Sequence, residues 1–116
     1  MEMTEAIGRL GALAHEHRLA VFRLLVRAGR DGLSAGDLAA ALGLPPSSLS
    51  FHLAQLQGAG LVSATRAGRR VIYRLDSLAM RELLGFLTED CCQGRPELCP
   101  ELSGALTACA ETADVR

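Results

Sequence analysis

The sequence predicts a mainly α-helical domain carrying one small β-hairpin, and three observations predict it. Hydrophobic residues fill 49% of the 116 positions, yet only three Phe, one Tyr and no Trp are present, so aliphatic side chains must form the core. That composition favours packed helices over an aromatic-rich sandwich. Several segments repeat apolar residues at helical spacing, and a single stretch near residues 61–75 reads instead as two short strands around a turn. The length suits one compact domain and is short for two.

The first helix is expected over Thr4 to Ala14, where Ala6, Ile7, Leu10, Leu13 and Ala14 share a face. From Glu16 to Ala28, Leu19, Ala20, Phe22, Leu24, Leu25 and Val26 cover more than half of a helix, which marks it as central. Arg30-Asp31-Gly32 reads as a turn. Ser34 followed at the third residue by Asp37 then resembles a capping box, opening a helix through Leu42 that Gly43 can end in a left-handed conformation.

Leu44-Pro45-Pro46 is the connection to the next helix: Pro46 suits a first turn, and Pro45 cannot continue the helix before it. Two short helices across a tight glycine-containing turn make a helix-turn-helix. The second of them, about Pro46 to Gln57, buries Leu49, Leu53 and Leu56. Ser47, Phe51 and Ala54 lie opposite, flanked by Ser48, Ser50 and Gln55.

Small polar residues at a helix N-terminus offer donors to phosphates or base edges, and an outward Phe51 suits thymine methyl groups. His52 sits on the flank, where it either touches DNA or packs locally. His15 and His17, two residues apart, read as surface or capping groups rather than metal ligands.

Leu61 to Thr65 and Val71 to Leu75 are the expected strands, with Arg66-Ala67-Gly68-Arg69-Arg70 between them. Arg66, Arg69 and Arg70 on a protruding ribbon suit a wing lying along a DNA backbone. A last helix runs from Ser77 to about Glu89, with Met80, Leu84 and Leu87 in a stripe and Leu83 beside it. This stripe and the first helix are surplus apolar surface, which argues for a homodimer through the first and last helices.

Charge divides the chain. Residues 1–88 carry ten Arg against seven acids, whereas residues 89–116 carry two Arg against six acids. The first part suits phosphate and the second is repelled by it. All twelve basic residues are Arg, so no P-loop lysine or Schiff-base lysine exists. No signal-like segment opens the chain and no apolar run reaches about 20 residues, so a cytoplasmic protein with no membrane partner is expected.

The four cysteines, Cys91, Cys92, Cys99 and Cys109, crowd into the last 26 residues. In a reducing cytosol that pattern suits metal ligands or redox sensors better than a disulfide framework. Thiolates select thiophilic centres. Trivalent arsenic takes three sulfurs in a pyramid, which Cys91, Cys92 and Cys99 can supply if the helix ends near Asp90, as Gly94 and Pro96 favour. Zinc wants four ligands, and adjacent cysteines fit it poorly. Cys109 supplies a fourth ligand or none.

The order helix, helix, helix, helix, strand, strand, helix strongly resembles the ArsR/SmtB family of winged helix-turn-helix proteins. Pro46-Ser47-Ser48-Leu49-Ser50-Phe51-His52-Leu53, Ala59-Gly60-Leu61-Val62 and Gly68-Arg69-Arg70-Val71-Ile72-Tyr73 carry the resemblance, which spans roughly residues 6–99. It implies a homodimeric repressor that leaves double-stranded operator DNA when a metal or metalloid binds. It would place Ser47, Ser48, Ser50, His52 and Gln55 on the recognition helix, and Arg66, Arg69 and Arg70 on the wing.

Two of the family's sensor sites are missing: Ser34 and Gly36 stand where many members have a Cys-x-Cys pair, and no histidine follows His52. The thiols beyond the last helix are similar to those of arsenite-responsive members, which implies As(III) or Sb(III) as inducer and no organic cofactor. Residues 1–90 are then the DNA-binding and dimerisation domain, and 91–116 a sensory loop and tail.

Three alternatives stand beside this reading, one of them a structural zinc or partner-binding module with no DNA role. The same fold could sense oxidants or reactive sulfur through Cys91 or Cys92 bonding to Cys99. A thiol enzyme of the phosphate-loop kind would need Cys-x5-Arg, but the sixth residues after the four cysteines are Glu97, Leu98, Ala105 and Val115. No enzyme is expected.

Overall fold

A computed structural model describes residues 1–89. It contains α1 (Met3–Leu13), α2 (Glu16–Ala28), β1 (Leu33–Ser34), α3 (Ala35–Leu42), α4 (Pro46–Gly58), β2 (Val62–Ala67), β3 (Arg70–Leu75) and α5 (Ser77–Thr88), with a 3-10 turn at Gly29–Asp31. The expected order of helices and the wing are both present. The fold is a winged helix-turn-helix. Residues to Phe86 form one compact unit.

Local chemistry sets each boundary. His15 caps α2 by accepting the His17 N–H on its side chain, at 3.1 Å. Ser34 and Asp37 form the reciprocal capping box of α3, and Gly43 ends that helix at φ 64°, ψ 33°. Pro46 opens α4 in its first turn, where a missing N–H costs nothing. Asp76 caps α5 by accepting the Ala79 N–H at 3.0 Å.

The core lies where α2, α3 and α4 meet the foot of the hairpin. Val21 and Leu25 of α2, Leu38 of α3, Leu49, Leu53 and Leu56 of α4, and Leu61 are all fully buried. On α4 those leucines recur at spacings of four and three, so one stripe faces inward. The outer helices behave differently. Met3, Ile7 and Leu10 of α1 and Leu78 and Leu87 of α5 are exposed, while Ala6, Ala79 and Leu83 turn inward. Arg9 of α1 donates to the Ala79 carbonyl of α5 at 3.1 Å, which ties the two helices together.

The hairpin departs from expectation in two ways. Its turn is not five residues long: Ala67 pairs with Arg70, leaving only Gly68 and Arg69 between the strands. Gly68, at φ 65°, supplies the positive φ that a two-residue hairpin turn requires. Arg66 and Arg70 therefore belong to the strands. These strands are exposed beyond Val62 on the β2 side, so no apolar alternation marks their ends in the sequence.

The second departure is β1, whose residues read in the sequence as the end of a turn and a helix cap. It adds to the hairpin in the order β1-β3-β2, with Leu33 opposite Tyr73 and Ser34 opposite Ile72. Two residues are too few to show a period. Gly32 makes the pairing possible: its φ is +66°, and an added Cβ would stand 2.5 Å from the Tyr73 carbonyl oxygen.

Gly32 and Gly68 therefore predict unequal costs for the same substitution. Gly68→Ala meets open space and should lose only about 1 kcal/mol through left-handed strain. Gly32→Ala adds a backbone clash and should lose about 3 kcal/mol. Urea unfolding of the two variants measures the difference; equal losses would contradict the close approach of Gly32 to β3.

Candidate nucleic-acid interface

Burial of the α4 leucines determines what the helix presents to solvent. Ser47, Ser48, Ser50, Phe51, Ala54 and Gln55 are all exposed. Phe51 is 57% exposed, a large apolar ring set among small polar groups. Five of the six candidates on this helix thus share an open face, together with Ala54.

His52 does not share that face. It is only 7% exposed, because it lies three residues after Leu49 and four before Leu56, within the inward stripe. The flank position expected from the helical wheel is corrected to the interior. Its neighbours there come from the start of α2. The Arg18 Nε–H donates to His52 Nδ1 at 3.3 Å, and the Arg18 guanidinium carbon lies 5.6 Å from the Phe51 ring centroid.

All three histidines of the chain meet at this point. Their ring centroids are 4.6 Å apart for His15 and His52, 5.5 Å for His15 and His17, and 5.6 Å for His17 and His52. Spacing of this order invites a metal, but the hydrogen bonds oppose one. Nδ1 of His15 accepts the helix-capping N–H and Nδ1 of His52 accepts from Arg18, so each neutral ring carries its proton on Nε2. Binding a metal there would undo both contacts. No group of three or more metal-ligating side chains is arranged to hold an ion among the described residues.

Burial, and then the His15, Arg18 and His17 neighbours, hold His52 below the ordinary histidine pKa. Sequence periodicity alone could have found its burial, from its spacing to Leu49 and Leu56. Nothing local to Arg18 indicates its contact with a residue 34 positions away.

The wing arginines are not equivalent either. Arg66 and Arg69 have no side-chain hydrogen bond or ion pair among the described residues. Arg70 is engaged: its Nη2 donates to Ser34 Oγ at 2.8 Å and to Asp37 Oδ2 at 2.9 Å. The hydrogen bonds from the Ser34 side chain and backbone, and then the Arg70 charge, hold the Asp37 carboxyl below the usual range. This clasp joins β3 to the first turn of α3. It also occupies Ser34 Oγ, at one of the two positions where the Cys-x-Cys pair would fall. Arg74 makes a second tie, donating to the Arg30 carbonyl at 2.7 Å.

Cys91, Cys92, Cys99 and Cys109 lie outside the described residues, as does the sensory tail assigned to 91–116.

An exposed polar helix face beside an arginine-bearing ribbon, carried on this fold, defines a winged helix-turn-helix transcriptional regulator. A helix-turn-helix domain family matches residues 13–63. Among curated relatives, the regulator CmtR of Mycobacterium tuberculosis is 44% identical over 91 residues, covering 76% of this chain and 74% of its own. The transcriptional activator HlyU of Vibrio cholerae is 35% identical over 89 residues, covering 77% and 80%. Among solved structures, an ArsR-like regulator from Rhodococcus superimposes with a TM-score of 0.65 at 26% identity, over 95% of this chain and 93% of that one. The chain belongs to the ArsR/SmtB family of transcriptional regulators.

The depressed pKa of His52 has a definite sign in stability. The folded state disfavours its proton, so its contribution is complete above the ordinary histidine value and declines as pH falls through that value toward the lowered one. A thermal-midpoint series from about pH 8 to 5 should therefore fall on the acid side, and His52→Asn, which cannot titrate, should flatten that fall. An unchanged acid limb in the variant would assign it to other groups. Asp37 acts lower: its contribution is present above the usual carboxylate value and is lost as pH falls below it.

Proposed function

We propose that this chain is a homodimeric repressor that binds a two-fold-symmetric operator and releases it when As(III) or Sb(III) is bound by Cys91, Cys92 and Cys99. The observation that carries the DNA half is the open face of α4, with Ser47, Ser48, Ser50, Phe51 and Gln55 exposed while Leu49, Leu53 and Leu56 hold the helix in place. Such a face suits a major groove, and the arginines at the wing tip suit the adjoining phosphates.

Dimerisation is supported by the exposed apolar residues Met3, Ile7 and Leu10 on α1 and Leu78 on α5. A structural neighbour from Mycobacterium bovis, at 25% identity and a TM-score of 0.61, is described as a homodimeric winged helix-turn-helix DNA-binding domain. Two copies would set their α4 helices about one DNA turn apart.

The inducer half rests on donor chemistry. Three thiols within nine residues match the pyramidal demand of trivalent arsenic, and Ser34, the alternative position, is already consumed by its cap and by Arg70. A solved structure described as a possible regulator for arsenical resistance is 30% identical, with a TM-score of 0.60 over 68% of this chain and 79% of that one. A redox reading of the same thiols has one specific support: HlyU, 38% identical in another solved structure, is described there in its reduced state.

Titrating arsenite into the reduced protein on its own promoter separates the two. The expected loss of DNA affinity is roughly 5- to 150-fold. Cys91→Ser, Cys92→Ser and Cys99→Ser should each abolish it, and Cys109→Ser should not. Release by peroxide or polysulfide but not by arsenite would install the redox reading, and failure to bind promoter DNA at low salt would remove the repressor itself.

The wing gives a separate expectation. Arg69→Ala should lower the slope of log affinity against log salt by roughly 0.9 for each phosphate that its guanidinium neutralises. Arg70→Ala should lower it less, because that guanidinium is shared with Ser34 and Asp37.

A further inference from the structure

We propose that Arg18 is the positioning residue of the recognition helix, and that its hold on α4 is broken by protonation of His52. The proposal rests on the reading of α4 as the DNA-facing helix. Arg18 stands in the first turn of α2 and reaches two consecutive residues of α4, one buried and one exposed. Its Nε–H donates to the inward His52, and its guanidinium lies against the outward Phe51. One side chain therefore sets both the seat of the helix and the attitude of the ring it offers to DNA.

The contact depends on a proton. Nδ1 of His52 accepts from Arg18 only while it is unprotonated. Adding a proton at Nδ1 sets two donors, and two positive charges, against each other at hydrogen-bond distance. His15 and His17 sharpen this response, since their ring centroids stand 4.6 and 5.6 Å from that of His52 and neither bears negative charge. The groups whose charges act on His52 are His15, Arg18 and His17, from α2 and its cap; α1, α3 and β2, which also pack on α4, contribute none. Among the described residues no carboxylate belongs to that set, so the added positive charge meets no counterion from them.

The direction of the effect separates this device from ordinary electrostatics. Extra positive charge on a DNA-binding protein raises its affinity for phosphate. Release of Arg18 instead removes one tie between α2 and α4, which the leucines still seat, and turns Phe51 loose, which lowers it. Acidification of the wild-type protein should accordingly weaken DNA binding.

Fluorescence anisotropy on promoter DNA, at fixed ionic strength between about pH 7.5 and 5.5, tests the proposal on the full chain. Wild type should lose affinity on the order of tenfold, the scale of one mispaired buried hydrogen bond. His52→Asn, whose amide oxygen can accept from Arg18 without titrating, should bind at neutral pH within a few-fold of wild type and lose the acid response. Arg18→Gln should be weak at both ends of the range with little further change. Wild-type affinity that holds or rises on acidification overturns the proposal, as does an undiminished acid loss in His52→Asn.

A DNA-free measurement keeps the inference separate from the repressor reading and from any folding defect in a variant. Nitrogen-15 NMR of the imidazoles in wild-type protein at neutral pH should show His52 with Nδ1 unprotonated. A proton on Nδ1 there would overturn the role of Arg18 even if promoter binding is normal. Unprotonated Nδ1 with no promoter binding at neutral pH would instead sink the repressor reading and leave the Arg18 to His52 seat standing.

Discussion

The inward stripe of α4 is the constraint on which the rest of the structure depends. Leu49, Leu53 and Leu56 can be buried only if the helix lies across α2 and α3 with one orientation about its own axis. That orientation exposes the serines, Phe51 and Gln55, encloses His52, and brings the start of α2 beneath the helix. A rotation of one residue, about 100°, would already turn the leucine stripe off the core along its whole length. The polar face is thus a by-product of apolar packing, and its accuracy is that of the core.

Where local rules act alone, the sequence was readable. The Ser34 to Asp37 box, the left-handed Gly43 and the paired prolines placed α3 and α4 almost to the residue, because each feature concerns atoms within four positions of one another. Legibility failed at distance. Strand β1 exists only because β3 presents an edge to it, Arg70 is shared with Asp37, 33 positions away, and Arg18 finds His52 across 34. His52 is an intermediate case: its spacing to the leucines was visible, but a polar ring carries no apolar signal to announce burial.

Two polar clasps divide the labour around the helix-turn-helix. Arg70 joins the wing to the first turn of α3, while Arg18 joins the first turn of α2 to α4. Arg70 and Asp37 are both largely solvated, and pairs of that kind contribute little to stability, commonly about 0–1 kcal/mol. Their significance is geometric. Each adds a directional contact between elements that aliphatic packing brings together.

The short strand β1 has a mechanical consequence. By pairing with Tyr73 and Ile72 of β3, and with Arg74 fastened to the Arg30 carbonyl, it ties the ribbon to the helical body part-way along its length. Beyond that pairing only Val71 and Arg70 of β3 continue to the turn, so Arg69 stands three residues, about 10 Å, past it. An arm of this length carries body rotations to its tip: a tilt of about 10° moves Arg69 through about 1.7 Å, enough to break a hydrogen bond. The wing therefore acts as a lever. Its tip reports the tilt of the body to which it is fixed rather than its own flexing.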